Sequence, residues 1–183
     1  MAELILGGAR SGKSGEAERR AQAAEAAGCK VIYIATAEAR DAEMARRIAR
    51  HRATRPNWET QEAPIALAAS LAAAARPQTC LLVDCLTLWL SNLFFAGATA
   101  QQAETGAALA CPLLARETAA LLDTLPHLPG RVLLVSNEVG CGIIPGNPVS
   151  RAFADAQGRL NQQVAAISEQ VTLMAAGLPL RLK

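Results

Sequence analysis

Aromatic residues make up only 3% of this sequence, and its 51% apolar content is carried largely by alanine. Alanine favours helices, and the aromatic side chains typical of sandwich cores are scarce, so a helix-rich fold is expected over an all-β sandwich. Cysteine is present but unpatterned: Cys29, Cys80, Cys85, Cys111 and Cys141 are odd in number, form no C-x-x-C pair and have no histidine at ligand spacing. A zinc site or disulfide framework is therefore not expected, and a reducing compartment suits the thiols. Excess charge is missing too. Eighteen Lys and Arg against sixteen Asp and Glu leave a net charge of +2, which gives no reason to expect nucleic acid or an anionic membrane as the main partner. Long apolar runs are absent: Ala63–Ala75 is broken by Ser70, and the stretch from Cys80 onward by Asp84. Both fall short of the roughly 18 residues a membrane span needs. The glycines arrive too soon after Met1 for a signal peptide of ordinary length, so the expected location is the cytoplasm.

The length, 183 residues, suits one domain with one core, residues 1–183. Along it, short apolar runs alternate with helical stretches. Leu4–Leu6 reads as a buried strand and Ser14–Ala27 as a helix ended by Gly28. Val31–Ile34 is a second strand, and Asp41 caps a helix reaching about Arg52. Pro64–Ala75 is helical, and Cys80–Val83, ended by Asp84, is apolar throughout, as strands buried on both faces are. Leu86–Phe95 is apolar nearly all round, which fits either deep burial or a subunit contact through Trp89, Leu90, Leu93 and Phe94. A long helical region, Gln101–Leu125, precedes a strand at Arg131–Val135 and a helix at Ala152–Glu169. Val171–Ala175 and Leu178–Leu182 close the chain as a hairpin around Gly177. This alternation predicts an α/β fold with a mostly parallel sheet, helices on both faces and an antiparallel hairpin at the C-terminal edge.

Between the first strand and the first helix stands Gly7-Gly8-Ala9-Arg10-Ser11-Gly12-Lys13-Ser14, which fits G-x-x-x-x-G-K-[ST] at every fixed position. The glycines let backbone N–H groups approach phosphate oxygens while the helix behind points its positive end at the same anion. Lys13 supplies a charge for the β and γ phosphates, and the Ser14 hydroxyl is a ligand for Mg2+. Asp84, at the end of an apolar strand, stands where a second magnesium-holding carboxylate belongs; an Asp there is also a common turn or cap residue.

A second constellation lies in Glu43–Arg52, where Met44, Ile48 and His51 fall at i, i+4 and i+7 on one face; Arg47 flanks that face, Arg46 and Arg50 project elsewhere, and Arg52 and Arg55 follow at the helix end. Beside a phosphate loop, a neutral imidazole can attack phosphorus, and neighbouring arginines neutralise the charge that develops. The plainer reading is a solvated basic face with one core histidine. His127, in Leu-Pro-His-Leu-Pro-Gly, has no such company.

Taken in order, the phosphate loop, Tyr33-Ile34-Ala35-Thr36-Ala37, Arg47–Arg52 with Arg55-Pro56 and Trp58, Asn137–Pro145 and Ala176–Leu180 resemble the bifunctional adenosylcobinamide kinase / adenosylcobinamide-phosphate guanylyltransferase family. The resemblance spans nearly the whole chain. It implies phosphorylation of adenosylcobinamide by ATP or GTP, then transfer of GMP from GTP to adenosylcobinamide phosphate through a GMP-histidine intermediate, with release of pyrophosphate. It places the guanylylated histidine on His51; some relatives carry an adjacent histidine where this chain has Arg50. It also places nucleotide contacts on Gly7–Ser14, on Thr36, Ala37 and Glu38, on Arg52, Ala53, Thr54, Arg55 and Pro56, and on Glu62 and Asp84. Glu62 and Asp84 are both candidates for the carboxylate of the kinase step. The resemblance further implies a P-loop NTPase-like fold and a homotrimer, and it gives Asn137-Glu138 and Gly140–Pro145 no derivable role beyond shaping a loop. Two other readings stay open: a small-molecule kinase without transferase activity, and a GTP-binding switch, although no Asn-Lys-x-Asp stretch for base recognition is present.

Overall fold

Each parallel strand of this protein ends at the same edge of one sheet, and that edge carries the chemistry. The computed structural model describes residues 1–38, 42–96, 99–105 and 111–183, leaving out the side chains of Arg47, Arg50, His51, Thr54, Thr99 and Ala100. Among the described residues, seven strands are present: β1 (Ala2–Gly7), β2 (Lys30–Ala35), β3 (Glu59–Glu62), β4 (Thr79–Asp84), β5 (Arg131–Asn137), β6 (Gln170–Ala175) and β7 (Leu178–Arg181). They lie in the order β3-β2-β4-β5-β1-β6-β7, with every neighbouring pair parallel except β6 and β7. Helices α1 (Lys13–Ala26), α2 (Ala42–Thr54), α3 (Leu67–Ala74), α4 (Leu86–Ala96), α5 (Thr99–Thr105), α6 (Pro112–Thr124) and α7 (Pro148–Ile167) connect them. The α/β class, the mostly parallel sheet and the antiparallel hairpin at its edge are as the sequence implies.

Strand periodicity divides the core into two layers. Leu4, Leu6, Ile34, Leu81, Val83 and Leu134 face α3, α4, α6 and α7, while Ile5, Val31, Tyr33, Leu82, Leu133 and Val135 face α1. The apolar side chains that α1 lays on the sheet are small, Ala17, Ala21 and Ala24, so that helix sits close. Leu86–Phe95 is core: Trp89, Leu90, Leu93 and Phe94 are buried, Trp89 Nε1 donates to the Ile65 carbonyl oxygen at 2.7 Å, and Phe95 is half exposed. Burying each such side chain contributes about 1.5–3 kcal/mol.

One polar cluster holds α1 in register. Glu3 on β1 is fully buried and accepts hydrogen bonds from Arg20 Nη1 of α1 at 3.0 Å and Arg131 Nε of β5 at 2.6 Å. Arg20 Nε also donates to Glu16 Oε1 at 2.7 Å. Burial pushes the Glu16 carboxyl up, but the hydrogen bonds and charges of Arg19 and Arg20 outweigh it and hold it below its ordinary value.

The structure corrects several sequence boundaries. Strand β3 has no apolar run to announce it; Glu59–Glu62 is a strand because its backbone pairs with Ile32–Ala35 at the sheet edge. The single helical region expected over Gln101–Leu125 is two helices, α5 and α6. Cys111 caps α6 by accepting from Leu114 N, and Pro112 occupies its first turn, where a missing N–H costs nothing. The last helix begins at Pro148, not Ala152, because Asn147 Oδ1 accepts from Ser150 N at 2.7 Å. The cap expected at Asp41 lies outside the described residues. Among those residues no helix is long and apolar enough to cross a membrane.

Candidate nucleotide site

The phosphate loop joins β1 to α1, as the sequence implies, and its shape depends on two glycines. A Cβ on Gly7 would strike the Ser11 side chain and sit 2.8 Å from the Met174 carbonyl oxygen, and Gly12 has φ +96°, with Gly177 Cα 3.3 Å from where its Cβ would stand. The C-terminal hairpin thus presses on the loop and also bonds to it, Gly177 N donating to the Ser11 carbonyl oxygen at 3.0 Å. Ser11 Oγ is buried without a hydrogen-bond partner, a polar atom with unused capacity inside an anion cradle. Lys13 Nζ donates to the Gly8 carbonyl oxygen at 3.0 Å, so its ammonium spans the loop.

In front of the loop opens a cavity of about 790 Å3. Ala9, Arg10, Lys13 and Ser14 form one wall, and Tyr33, Ala35, Asp84, Cys85 and Asn137 form the floor at the ends of β2, β4 and β5. Met44, Ile48, Arg52, Arg55 and Glu62 form the opposite wall, from α2 and β3. Arg10, Lys13, Arg52 and Arg55 bring cations that a polyphosphate can use to this cleft, beside the carboxylates of Glu38, Glu62 and Asp84. Burial, then the charge of Asp84, push the Cys85 thiol up to about 11, so it stays neutral at the floor of the cleft.

The expected site residues separate into groups. Ala9, Arg10, Lys13, Ser14, Ala37, Glu38, Arg52, Arg55, Glu62 and Asp84 meet in the cavity. Thr36 does not: it is fully buried, and its hydroxyl donates to the Cys85 carbonyl oxygen and accepts from Cys85 N, both at 2.8 Å, which fixes the turn after β4. Pro56 lines an adjoining polar hollow with Arg52, Arg55 and Trp58, and Ala53 is exposed on α2. Gly7, Gly8, Ser11 and Gly12 shape the loop behind the wall. The His51 and Thr54 side chains lie outside the described residues, though both positions belong to α2.

Tyr33, Asn137 and Leu88 line the cavity without having been singled out from the residues alone as site residues. Asn137 was visible as part of a signature. Its place is set by a buried network in which Gln157 Nε2 and Ser136 Oγ bond to Asn161 Oδ1, at 2.9 and 2.7 Å, and Asn161 Nδ2 donates to the Asn137 carbonyl oxygen at 3.0 Å. Tyr33 could have been found from its position two residues before the end of a strand that points at the loop.

The donor set suits magnesium held partly by phosphate. Ser14 and Asp84 offer oxygens to one cavity, and among the described residues no three His, Cys, Asp or Glu side chains gather into a protein-only cage. Mg2+ characteristically takes one or two protein oxygens and completes its shell with phosphates and water.

Residues 3–182 match the model of the family described as cobinamide kinase / cobinamide phosphate guanyltransferase. The chain is 52% identical over 184 residues to the bifunctional adenosylcobalamin biosynthesis protein CobP of Pseudomonas aeruginosa, covering 100% of this chain and 98% of that one. It is 37% identical over 185 residues to the proteins of the same description, CobU, of Salmonella typhimurium and Escherichia coli, with 100% of each chain covered. Among solved structures, the assembled ATPase EscN of an enteropathogenic E. coli type III secretion system superposes with a TM-score of 0.58 at 13% identity. That match covers 96% of this chain but 43% of the ATPase chain, and it is a likeness of fold alone.

Proposed function

The chain belongs to the cobinamide kinase / cobinamide phosphate guanyltransferase family and is a bifunctional transferase of adenosylcobalamin biosynthesis; on that premise we propose that one cleft in a single domain serves both of its reactions. In the kinase step the aminopropanol hydroxyl of adenosylcobinamide attacks the γ-phosphorus of ATP or GTP. Its proton leaves to a carboxylate, Asp84 or Glu62, and the nucleoside diphosphate departs. In the transfer step His51 attacks the α-phosphorus of GTP, the bond to the β-phosphate oxygen breaks and pyrophosphate departs. A phosphate oxygen of adenosylcobinamide phosphate then takes the GMP group as the P–N bond breaks, giving adenosylcobinamide-GDP. Splitting the transfer this way replaces one hard displacement with two easier ones.

Lys13 and the loop amides hold the polyphosphate, and Arg10, Arg52 and Arg55 offset charge on the phosphate under attack. Ser14 and Asp84 would hold magnesium, which when bound neutralises the leaving phosphates. The observation that carries this reading is the facing of the two walls: Met44 and Ile48, seven and three residues before His51 on α2, line the same cavity as Lys13 and Ser14. By helical spacing the His51 position follows them on that face.

Incubation with GTP labelled at the α- or the γ-phosphate tests it. Acid-labile protein label from the α position alone is expected, and label from neither position would leave a kinase or a switch. His51→Ala should abolish that label and guanylyl transfer while phosphorylation persists; loss of both activities in a folded variant would remove His51 from its assigned role. Assembly as a homotrimer and residence in the cytoplasm complete the proposal, and light scattering on the purified protein checks the first.

A further inference from the structure

We propose that Tyr33 is a positioning residue that ties the two walls of the cleft together, its hydroxyl orienting Asp84 and its ring seating Arg55. The register puts the parts in place. Tyr33 on β2 stands opposite Leu82 on β4 and opposite Thr60 on β3, so Asp84, two residues beyond Leu82, lies on the same face of the sheet. The Tyr33 side chain is hydrogen-bonded to that of Asp84. Both side chains line the same cavity, the phenol O–H as donor and the carboxylate as acceptor.

On the ring's other account, Arg55 Cζ lies 3.7 Å from the ring centroid, and Arg55 Nη2 donates to Thr60 Oγ1 at 2.6 Å. The guanidinium therefore lies across the register pair Tyr33 and Thr60. An aromatic face attracts a cation without cancelling its charge as a carboxylate would, so Arg55 stays fixed and still available to an anion. Arg55 directly follows α2, and three residues later Trp58 is buried with Nε1 donating to Glu25 Oε1 at 3.1 Å. Seating Arg55 thus fixes where the C-terminal end of α2 meets the sheet. A core tyrosine needs neither contact: its ring already packs among Val31, Leu82 and Trp58.

This inference rests on Asp84 serving the metal, as proposed above, and its test separates the two. Mn2+ binding to the protein–GTP complex is followed by electron paramagnetic resonance, alongside the metal dependence of phosphorylation. Tyr33→Phe, which keeps the ring, should weaken Mn2+ binding about tenfold and raise the metal concentration for half-maximal phosphorylation in parallel, with KM for GTP at saturating metal within twofold. Asp84→Asn should weaken Mn2+ binding further, and adding Tyr33→Phe to it should change nothing more. For the ring, Arg55→Ala should raise KM for GTP about tenfold in the wild type and not at all in a Tyr33→Leu background. If Asp84→Asn weakens Mn2+ binding and Tyr33→Phe does not, the hydroxyl has no positioning role. If Asp84→Asn leaves Mn2+ binding unchanged, the metal reading falls and takes the hydroxyl half of the proposal with it. Equal effects of Arg55→Ala in both backgrounds would overturn the ring's part; where Tyr33→Leu does not fold, Tyr33→Trp, a larger ring without the hydroxyl, should keep the full Arg55 effect, and loss of that effect would overturn it.

Discussion

The two walls of the cleft are held in different ways. On the phosphate-loop side, α1 lays Ala17, Ala21 and Ala24 on the sheet and is locked by Arg20 to a fully buried Glu3, and the loop is braced by Gly177. On the facing side, no described residue of α2 is buried; Met44 and Ile48 are half-buried, and the helix end is tied by polar contacts, Arg52 Nη2 to Glu62 Oε1 at 3.1 Å and Arg55 to Tyr33 and Thr60. The difference matches the work proposed for each. A phosphate cradle gains from rigidity, because its amides must already point at the charge, whereas a nucleophile carried toward bound phosphate gains from a wall that can shift.

The contrast can be broken most directly through activity. Lys13→Ala, on the rigid wall, should lower phosphorylation and α-label incorporation alike by about 10²–10³-fold, measured by initial rates with GTP. Arg52→Ala, on the facing wall, should lower guanylyl transfer about tenfold and phosphorylation by less than about threefold. Equal losses in the two reactions would mean that the walls do not divide the labour. Stability should separate them next. Arg20→Met leaves buried Glu3 with only Arg131 and should cost about 2–3 kcal/mol, lowering Tm by about 5–10 °C in a thermal melt. Arg52→Met removes an exposed pair and should change stability by less than about 0.5 kcal/mol. The smallest effect concerns pH. Because the Glu16 carboxyl is held below its ordinary value of 4.5, its contribution is complete above that value and is lost as pH falls through the lower, folded one. Tm of the wild type should therefore drop more steeply between about pH 5 and pH 3 than Tm of Glu16→Gln.

What could be read from the sequence follows from how local its causes are. The phosphate loop was legible because a short stretch of chain contains all of its mechanics, and β4 and β5 because burial on both faces demands unbroken apolar runs. Strand β3 was not, since Glu-Thr-Gln-Glu becomes a strand only through backbone pairing at an edge. Buried Glu3, Gln157 and Asn161 were equally hidden: each has partners far along the chain, Arg20 and Arg131 for Glu3 and Ser136 for the two amides. Within the cleft, sequence and resemblance named charged residues that line the cavity and met Tyr33 only as part of a motif, since the two side chains it touches come from other elements. Thr36 shows the converse: its hydroxyl faces the protein, where it shapes the turn that carries Asp84.

The brace between Gly177 and Ser11 has a consequence for synthesis. The phosphate loop is synthesised well before the residue that props it. A nascent chain stalled before Met174 carries the complete nucleotide-binding motif yet lacks the strut that braces it, so motif and brace are made at different times.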